Sequence, residues 1–193
     1  MTSGRKVRFS VAASLDGFIA GPAGDFDWIP DDPTVDFAAL FARVDTVLLG
    51  RRSYELIRTQ DAPPWSPKTR VYVFSRTLLA SNHPDVTIVN GNAGDMVATL
   101  RAESGDGEIW LFGGGELFAS LIAAEQVDAV EVTIVPILLG GGVPLFPGGA
   151  SRTRLELTHS HEYPSGMVAL HYRVLCPTGG ARLRAPAPRC SES

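Results

Sequence analysis

Three short stretches carry residues suited to holding an anion, each directly after a run that reads as a buried strand. They are LLGRRSYE (48–55), FSRT (74–77) and WLFGGGELF (110–118). At a strand-to-helix turn rich in glycine, backbone N–H groups approach an anion closely, and the start of the helix adds favourable partial charge. Arg51 and Arg52 follow Gly50, with Ser53 beside them. The forked guanidinium is the preferred partner of phosphate oxygens. Ser75 and Arg76 offer a hydroxyl and a guanidinium at another strand end, enough for a separate phosphate group. Ligands of open α/β sheets sit beyond the carboxyl ends of the strands. Three such turns there point to an extended anionic ligand of dinucleotide size. Taken singly, each has a plainer reading. Gly113, Gly114 and Gly115 match neither G-x-G-x-x-G nor the P-loop pattern, and alone would be a tight turn; the arginines alone would be solvated charges.

The second concentration of chemistry is acidic. Asp16, Asp25, Asp27, Asp31, Asp32 and Asp36 fall in and after one long loop, with Phe26 and Trp28 among them. Most are expected to be solvated or capping. Asp32 before Pro33 reads as a helix N-cap. Asp36, about one turn further, is the best placed to hold or relay a proton if a neighbouring aromatic partly desolvates it. Asp32 is the reserve. His83, His159, His161 and His171 read as loop and hairpin-surface residues, and no Cys or carboxylate cluster completes a metal site around them. No G-x-S-x-G occurs and nothing pairs Cys176 with a base, so covalent hydrolysis has no support.

The rest of the chain must position these groups. Its 193 residues are 45% hydrophobic and 20% charged, enough for one domain with a sizeable core. Net charge is −4; the termini, with Arg5, Lys6 and Arg8 at one end and Arg182, Arg184, Arg189 and Glu192 at the other, carry +3 and +2, leaving 9–176 at −9. A body that acidic repels phosphate backbones, which argues against nucleic acid as a partner. Cys176 and Cys190 form no disulfide framework, so a reducing compartment is expected. No apolar run reaches the ~18 residues of a membrane span, and the N-terminal apolar run is too short and polar for a signal peptide. The expectation is a cytoplasmic protein with no membrane partner.

Strand patterns cover 7–13, 46–50, 71–75, 86–90, 108–115 and 127–139. Helical patterns cover 33–44, 51–58, 92–104 and 116–125. Alternating apolar residues flank YPSG across 154–175, a hairpin signal. This predicts an α/β fold: a mostly parallel central sheet, helices on both faces, and an antiparallel hairpin at the C-terminal edge. Residues 1–176 are expected to form the domain and 177–193 a flexible tail. Val143, Leu145 and Phe146 form either an exposed patch suited to a homodimer contact or a loop folded on its own core.

The order SLDGFIAG (14–21), TVLLGRRSYE (46–55), VYVFSR (71–76), IWLFGGGELFASLI (109–122) and VEVTIVPILLGGGVPLFP (130–147) resembles the dihydrofolate reductase-like superfamily. It is most similar to the bacterial branch related to the C-terminal reductase domain of the riboflavin-biosynthesis deaminase/reductase, over roughly residues 5–175. The resemblance implies a three-layer α/β/α fold and an NADPH-dependent reductase. It implies that Gly50, Arg51, Arg52 and Ser53 bind the cofactor's phosphates, and that Ser75 and Arg76 face the adenosine 2′-phosphate. Gly113, Gly114 and Gly115 would lie under the pyrophosphate and nicotinamide, with Glu116 and Leu117 opening the helix. Ala13, Ile19, Ala20 and Gly21 would close over the nicotinamide, and Thr133 would lie near the substrate. Trp28, Asp36 and Tyr54 are expected to line the substrate side with it. The implied activity is hydride transfer to a small pyrimidine or related heterocycle, of the 5-amino-6-(5-phosphoribosylamino)uracil reductase type. Dihydrofolate reduction, or a non-catalytic NADP-binding or sensing module, are the alternatives. Two positions depart from the relatives: Thr34 stands at the interval where classical dihydrofolate reductases carry an acid, and Phe18 where the riboflavin-pathway reductases carry Lys or Arg. No deaminase zinc motif occurs.

Overall fold

The computed structural model describes residues 4–60, 62–148 and 152–175. Cys176, Cys190 and the tail expected over 177–193 lie outside the described residues. The elements follow in the order β1 (Val7–Ser14), β2 (Phe18–Ala20), α1 (Phe37–Ala42), β3 (Val44–Gly50), α2 (Arg51–Ile57), β4 (Arg70–Phe74) and β5 (Thr87–Val89). Then come α3 (Ala93–Ala102), β6 (Glu108–Gly113), α4 (Gly115–Ala123), β7 (Ala129–Val135), β8 (Val143–Pro144), β9 (Leu155–Glu162) and β10 (Val168–Val174).

Eight strands form one sheet in the order β5-β4-β3-β6-β1-β7-β10-β9. The pairs from β5 through β7 are parallel; β10 runs antiparallel to both β7 and β9. The expected mostly parallel sheet with an antiparallel hairpin at its edge is therefore present. Gly166, at φ +82°, makes the hairpin turn between β9 and β10.

Alternation along the strands divides the core between two layers. Leu48, Ile109 and Leu111 point to the face covered by α3 and α4, where they meet Val97, Leu100, Leu117 and Leu121. Val47, Leu49 and Trp110 point to the opposite face, against Tyr54 of α2 and Leu40 and Phe41 of α1. Leu48 and Leu49 are both wholly buried, which is why TVLLG shows no alternation. Burying each contributes about 1.5–3 kcal/mol.

Three expectations are corrected. The helix predicted from residue 33 begins at Phe37, because Asp36 and not Asp32 caps it; its carboxylate accepts the N–H of Ala39 at 2.8 Å. The strand predicted to residue 139 stops at Val135, since Pro136 has no N–H to continue the ladder. The connection after β7, outside every strand pattern above, contains β8, which pairs antiparallel with β2. In that connection Leu145 packs against the main core, and Phe146 sets its ring edge-on to Phe118 at 5.4 Å between centroids. Val143 and Leu145 are half-buried, and Phe146 stays exposed at the surface.

Candidate functional site

The three anion-suited turns come together because their strands are neighbours. Gly50 stands opposite Phe74 across β3 and β4, and Leu49 opposite Gly113 across β3 and β6. The chain leaves β3 through α2 toward one edge of the sheet and leaves β6 through α4 toward the other. Where connections diverge in this way, a crevice opens at the carboxyl ends of the strands. Gly50, Arg51, Arg52, Ser53, Ser75 and Arg76 line one cleft there, together with Gly113, Gly114, Gly115, Glu116 and Leu117.

The glycines of 113–115 serve different purposes. Gly113 has φ +140°, a region L side chains rarely occupy. A Cβ built on Gly113 or Gly114 would have Ser53 Oγ as its one near neighbour, at 3.8 and 3.6 Å, so a side chain there would fill ligand space. Gly115 is instead required for packing: a Cβ would lie 2.7 Å from the carbonyl oxygen of Pro144 and 2.9 Å from that of Leu145.

Arg51 bridges two of the turns. Its Nε donates to Glu55 at 2.7 Å and its Nη1 to the Thr77 hydroxyl at 2.8 Å, with half the side chain exposed. Ser75 is buried, and its Oγ accepts the N–H groups of Thr77 and Leu78 at 3.2 and 3.1 Å, which shapes the turn that presents exposed Arg76.

The roof is the β2–β8 pair. Ile19 and Ala20 line the cleft. Ala13 and Gly21 do not: Ala13 is a wholly buried core residue, and the space beside buried Gly21 is taken by the carboxylate of Asp25. The roof is tied down by Asp16, which accepts from the Ser14 hydroxyl at 2.6 Å and from the N–H groups of Leu139 and Gly140 at 3.1 and 2.7 Å. The Ser14 hydrogen bond above all, with those backbone bonds, lowers the Asp16 pKa from its ordinary value.

Beyond the glycines, the floor of the cleft is one face of β1, β7 and β10: Ser10, Ala12, Thr133 and Ala169. Their small side chains leave room for a flat ligand. Phe41, Trp110 and Phe112 form an aromatic wall, with ring centroids 5.4 Å apart for the first pair and 5.1 Å for the second. Thr133 lines the cleft as expected. Tyr54 and Trp28 do not. Helical spacing turns Tyr54 into the core, where its hydroxyl sits 3.0 Å from His83 Nδ1, and Trp28 Nε1 donates back to the Asp25 carbonyl within its own loop.

Neither acid meets the environment expected of it. Asp32 is buried and tied down: it accepts from the Thr34 hydroxyl at 2.6 Å, the Thr34 N–H at 2.9 Å and the Ser165 N–H at 3.3 Å. Hydrogen bonds from Ser165 and Thr34 lower its pKa to about 2. A carboxylate ionised so far below neutrality holds no proton to donate, so Asp32 is a tether between the first loop and the β9–β10 turn. Asp36 lines the cleft but is an exposed N-cap, without the desolvating aromatic cover.

A group missed in the sequence closes the far end of the floor. Arg8, assigned above to a basic terminus, is 1% exposed and places Nη1 3.0 Å from Glu131 Oε2 and Nη2 2.9 Å from Glu108 Oε2. His171, read as hairpin surface, stands across from Glu131 with Nδ1 3.4 Å from Oε1. Glu131 and His171 both line the cleft. The signal was the period of two: Glu131 lies two residues before Thr133 and so shares its face.

A three-layer α/β/α fold with a cleft at the point where strand order reverses defines the class, a dihydrofolate reductase-like domain. Residues 5–169 match the model of the RibD C-terminal domain, and the chain belongs to that family. Among curated proteins it is 33% identical over 172 residues to the uncharacterized protein YwjB of Bacillus subtilis, covering 87% of this chain and 97% of that one. It is 32% identical over 179 residues to the uncharacterized protein YyaP of the same organism, covering 87% and 94%. Among solved structures, a Shewanella protein provisionally assigned to riboflavin biosynthesis aligns at 31% identity and TM-score 0.76, over 89% of this chain and 99% of that one. A Thermotoga maritima diaminohydroxyphosphoribosylaminopyrimidine deaminase/5-amino-6-(5-phosphoribosylamino)uracil reductase shares the fold at 19% identity and TM-score 0.68, over 89% of this chain and 57% of that one. Among the described residues, no helix is long and apolar enough to cross a membrane.

Proposed function

We infer that the protein is an NADPH-dependent reductase acting on a small heterocycle, with a pyrimidine of the riboflavin-pathway type as first choice. The observation that supports this most directly is the meeting of three strand-end turns on adjacent strands, two of them opening α2 and α4, lined by Arg51, Arg52, Arg76 and the open backbone of Gly113 and Gly114. That set suits a dinucleotide: open glycine backbone for the pyrophosphate, and Ser75, Arg76 and Arg51 for a third phosphate nearby. NADPH, when bound, supplies the hydride.

The chain's own residues bind, orient and exclude water. Ile19 and Ala20 cover the reacting face from the roof, and the small residues of the floor let a flat ring lie against it. Thr133 offers a hydroxyl to the ring edge. The proton comes from the solvent side through Asp36 or water beside it, since Asp32 is held ionised. Trp110 lines the cleft and reports on binding. NADPH is expected to quench tryptophan fluorescence far more than NADH does, and reduced nicotinamide absorbance is expected to fall when a pyrimidine panel is added. Equal quenching by the two cofactors would remove the assignment of Ser75 and Arg76. Quenching without turnover on any pyrimidine or folate substrate would leave a binding module and sink the reductase.

A further inference from the structure

We propose that Glu131 is the residue by which the cleft selects its substrate, accepting an exocyclic amino N–H on the edge of an amino-substituted heterocycle. The assignment rests on reading this cleft as a substrate site and goes beyond it by naming the recognising group.

The argument begins with charge. Arg8 lies between two carboxylates, Glu108 and Glu131, which are 18% and 12% exposed. The contact with Glu108 at 2.9 Å is off the hydrogen-bonding angle, so the well-formed bond of Arg8 runs to Glu131. Lys6, half exposed and 4.0 Å from Glu108, reaches only that carboxylate. One buried guanidinium is therefore shared by two acids, and a largely buried carboxylate short of positive charge calls for further donors.

Geometry then says where the donor comes from. Arg8 donates to Oε2 of Glu131. Among the described residues nothing donates to Oε1, and His171 Nδ1 at 3.4 Å lies beyond a good hydrogen bond. A carboxylate offers about four lone-pair sites, so acceptor capacity remains. Glu131 sits on the same strand face as Thr133, two residues along the floor, with Ser10 and His171 as its cross-strand neighbours. His159 stacks edge-on to His171 at 5.5 Å between centroids and keeps that ring in place. A ring lying on Ser10, Ala12 and Thr133 would bring its edge to Glu131. Arg8 fixes the carboxylate from behind, so it points at the ligand already oriented. An exocyclic amino group satisfies it; a carbonyl in the same place meets lone pair with lone pair and is rejected.

The test compares 2,4-diaminopyrimidine with uracil, each titrated in the presence of NADPH and followed by tryptophan fluorescence. The wild-type protein should prefer the diamino ring. In Glu131→Gln that preference should fall roughly 10- to 100-fold, the size of a lost charge-assisted hydrogen bond, with NADPH quenching unchanged. An unchanged preference, or no binding of either ring to wild type, overturns the assignment. If NADPH fails to quench while the Glu131-dependent preference persists, the cofactor reading falls and this one stands. Should Glu131→Gln not fold, a crystal of the wild-type protein grown with 2,4-diaminopyrimidine decides. An amino nitrogen within hydrogen-bond distance of Glu131 supports the proposal, and a ring bound elsewhere refutes it.

Discussion

Gly115→Ala is the sharpest test of how this cleft is held. A methyl group at residue 115 would sit 2.7 and 2.9 Å from the carbonyl oxygens of Pro144 and Leu145. Those atoms are backbone, so relief requires the 144–145 segment to retreat by about half an ångström. Overpacking of this kind costs about 1–3 kcal/mol. Alanine's better helix propensity returns less than about 1 kcal/mol at the first position of α4. The expected net loss of about 1–2 kcal/mol lowers the melting temperature by about 2–8 °C in a chain of this size. The displaced segment carries β8, and the N–H of Leu145 donates to the Gly17 carbonyl at 2.8 Å beside β2. Cofactor binding should therefore weaken as well, because the roof moves with the loop. Gly50→Ala is the matched control. Its Cβ would lie 3.5 Å from the Gly114 nitrogen, an ordinary contact, and Gly50 has φ −74°, which alanine adopts freely. Its stability should stay within about 0.5 kcal/mol of wild type. Thermal melts followed by circular dichroism, with NADPH titrations on the same samples, read both effects. Equal melting temperatures for Gly115→Ala and wild type, or an equal fall in the Gly50 variant, would refute the packing argument.

Arg51→Ala removes the guanidinium that bridges two turns and should raise the NADPH dissociation constant roughly tenfold or more by calorimetry, with little change in melting temperature. Asp36→Asn keeps an equally good N-cap, so stability should hold, while turnover should fall about 100-fold if this side chain relays the proton; unchanged turnover would assign the proton to water alone. Asp32 has its folded pKa lowered from 3.8 to about 2, so its stabilising contribution is present above 3.8 and disappears as pH falls through about 2. Asp32→Asn should accordingly be less stable than wild type at neutral pH, with the gap closing across that window; denaturant melts at pH 7 and pH ~2 measure it, and a constant gap would contradict the tether.

Much of this molecule was legible from local pattern. The buried runs TVLLG and VYVFS, each stopped by a glycine or polar turn, announced parallel strands and put Gly50, Arg51, Ser75 and Arg76 at their carboxyl ends, because side-chain alternation and turn chemistry act over a few residues. The order of those runs, with GGGEL after IWLF, was enough to see the family resemblance. Tertiary structure decided what local pattern cannot encode. Gly113 and Gly115 are the same residue type in one turn, yet one adopts a positive φ facing the cleft and the other admits a neighbouring backbone, and only the approach of residues 144–145 separates them. Asp32 and Asp36 differ because Ser165, 133 residues away, donates to one of them. Arg8, Glu131 and His171 lie on three strands distant in the sequence, and they become one charged cluster only when β1, β7 and β10 pair in register. Register across non-adjacent strands is set by global packing, and it chooses which side chains face the cleft.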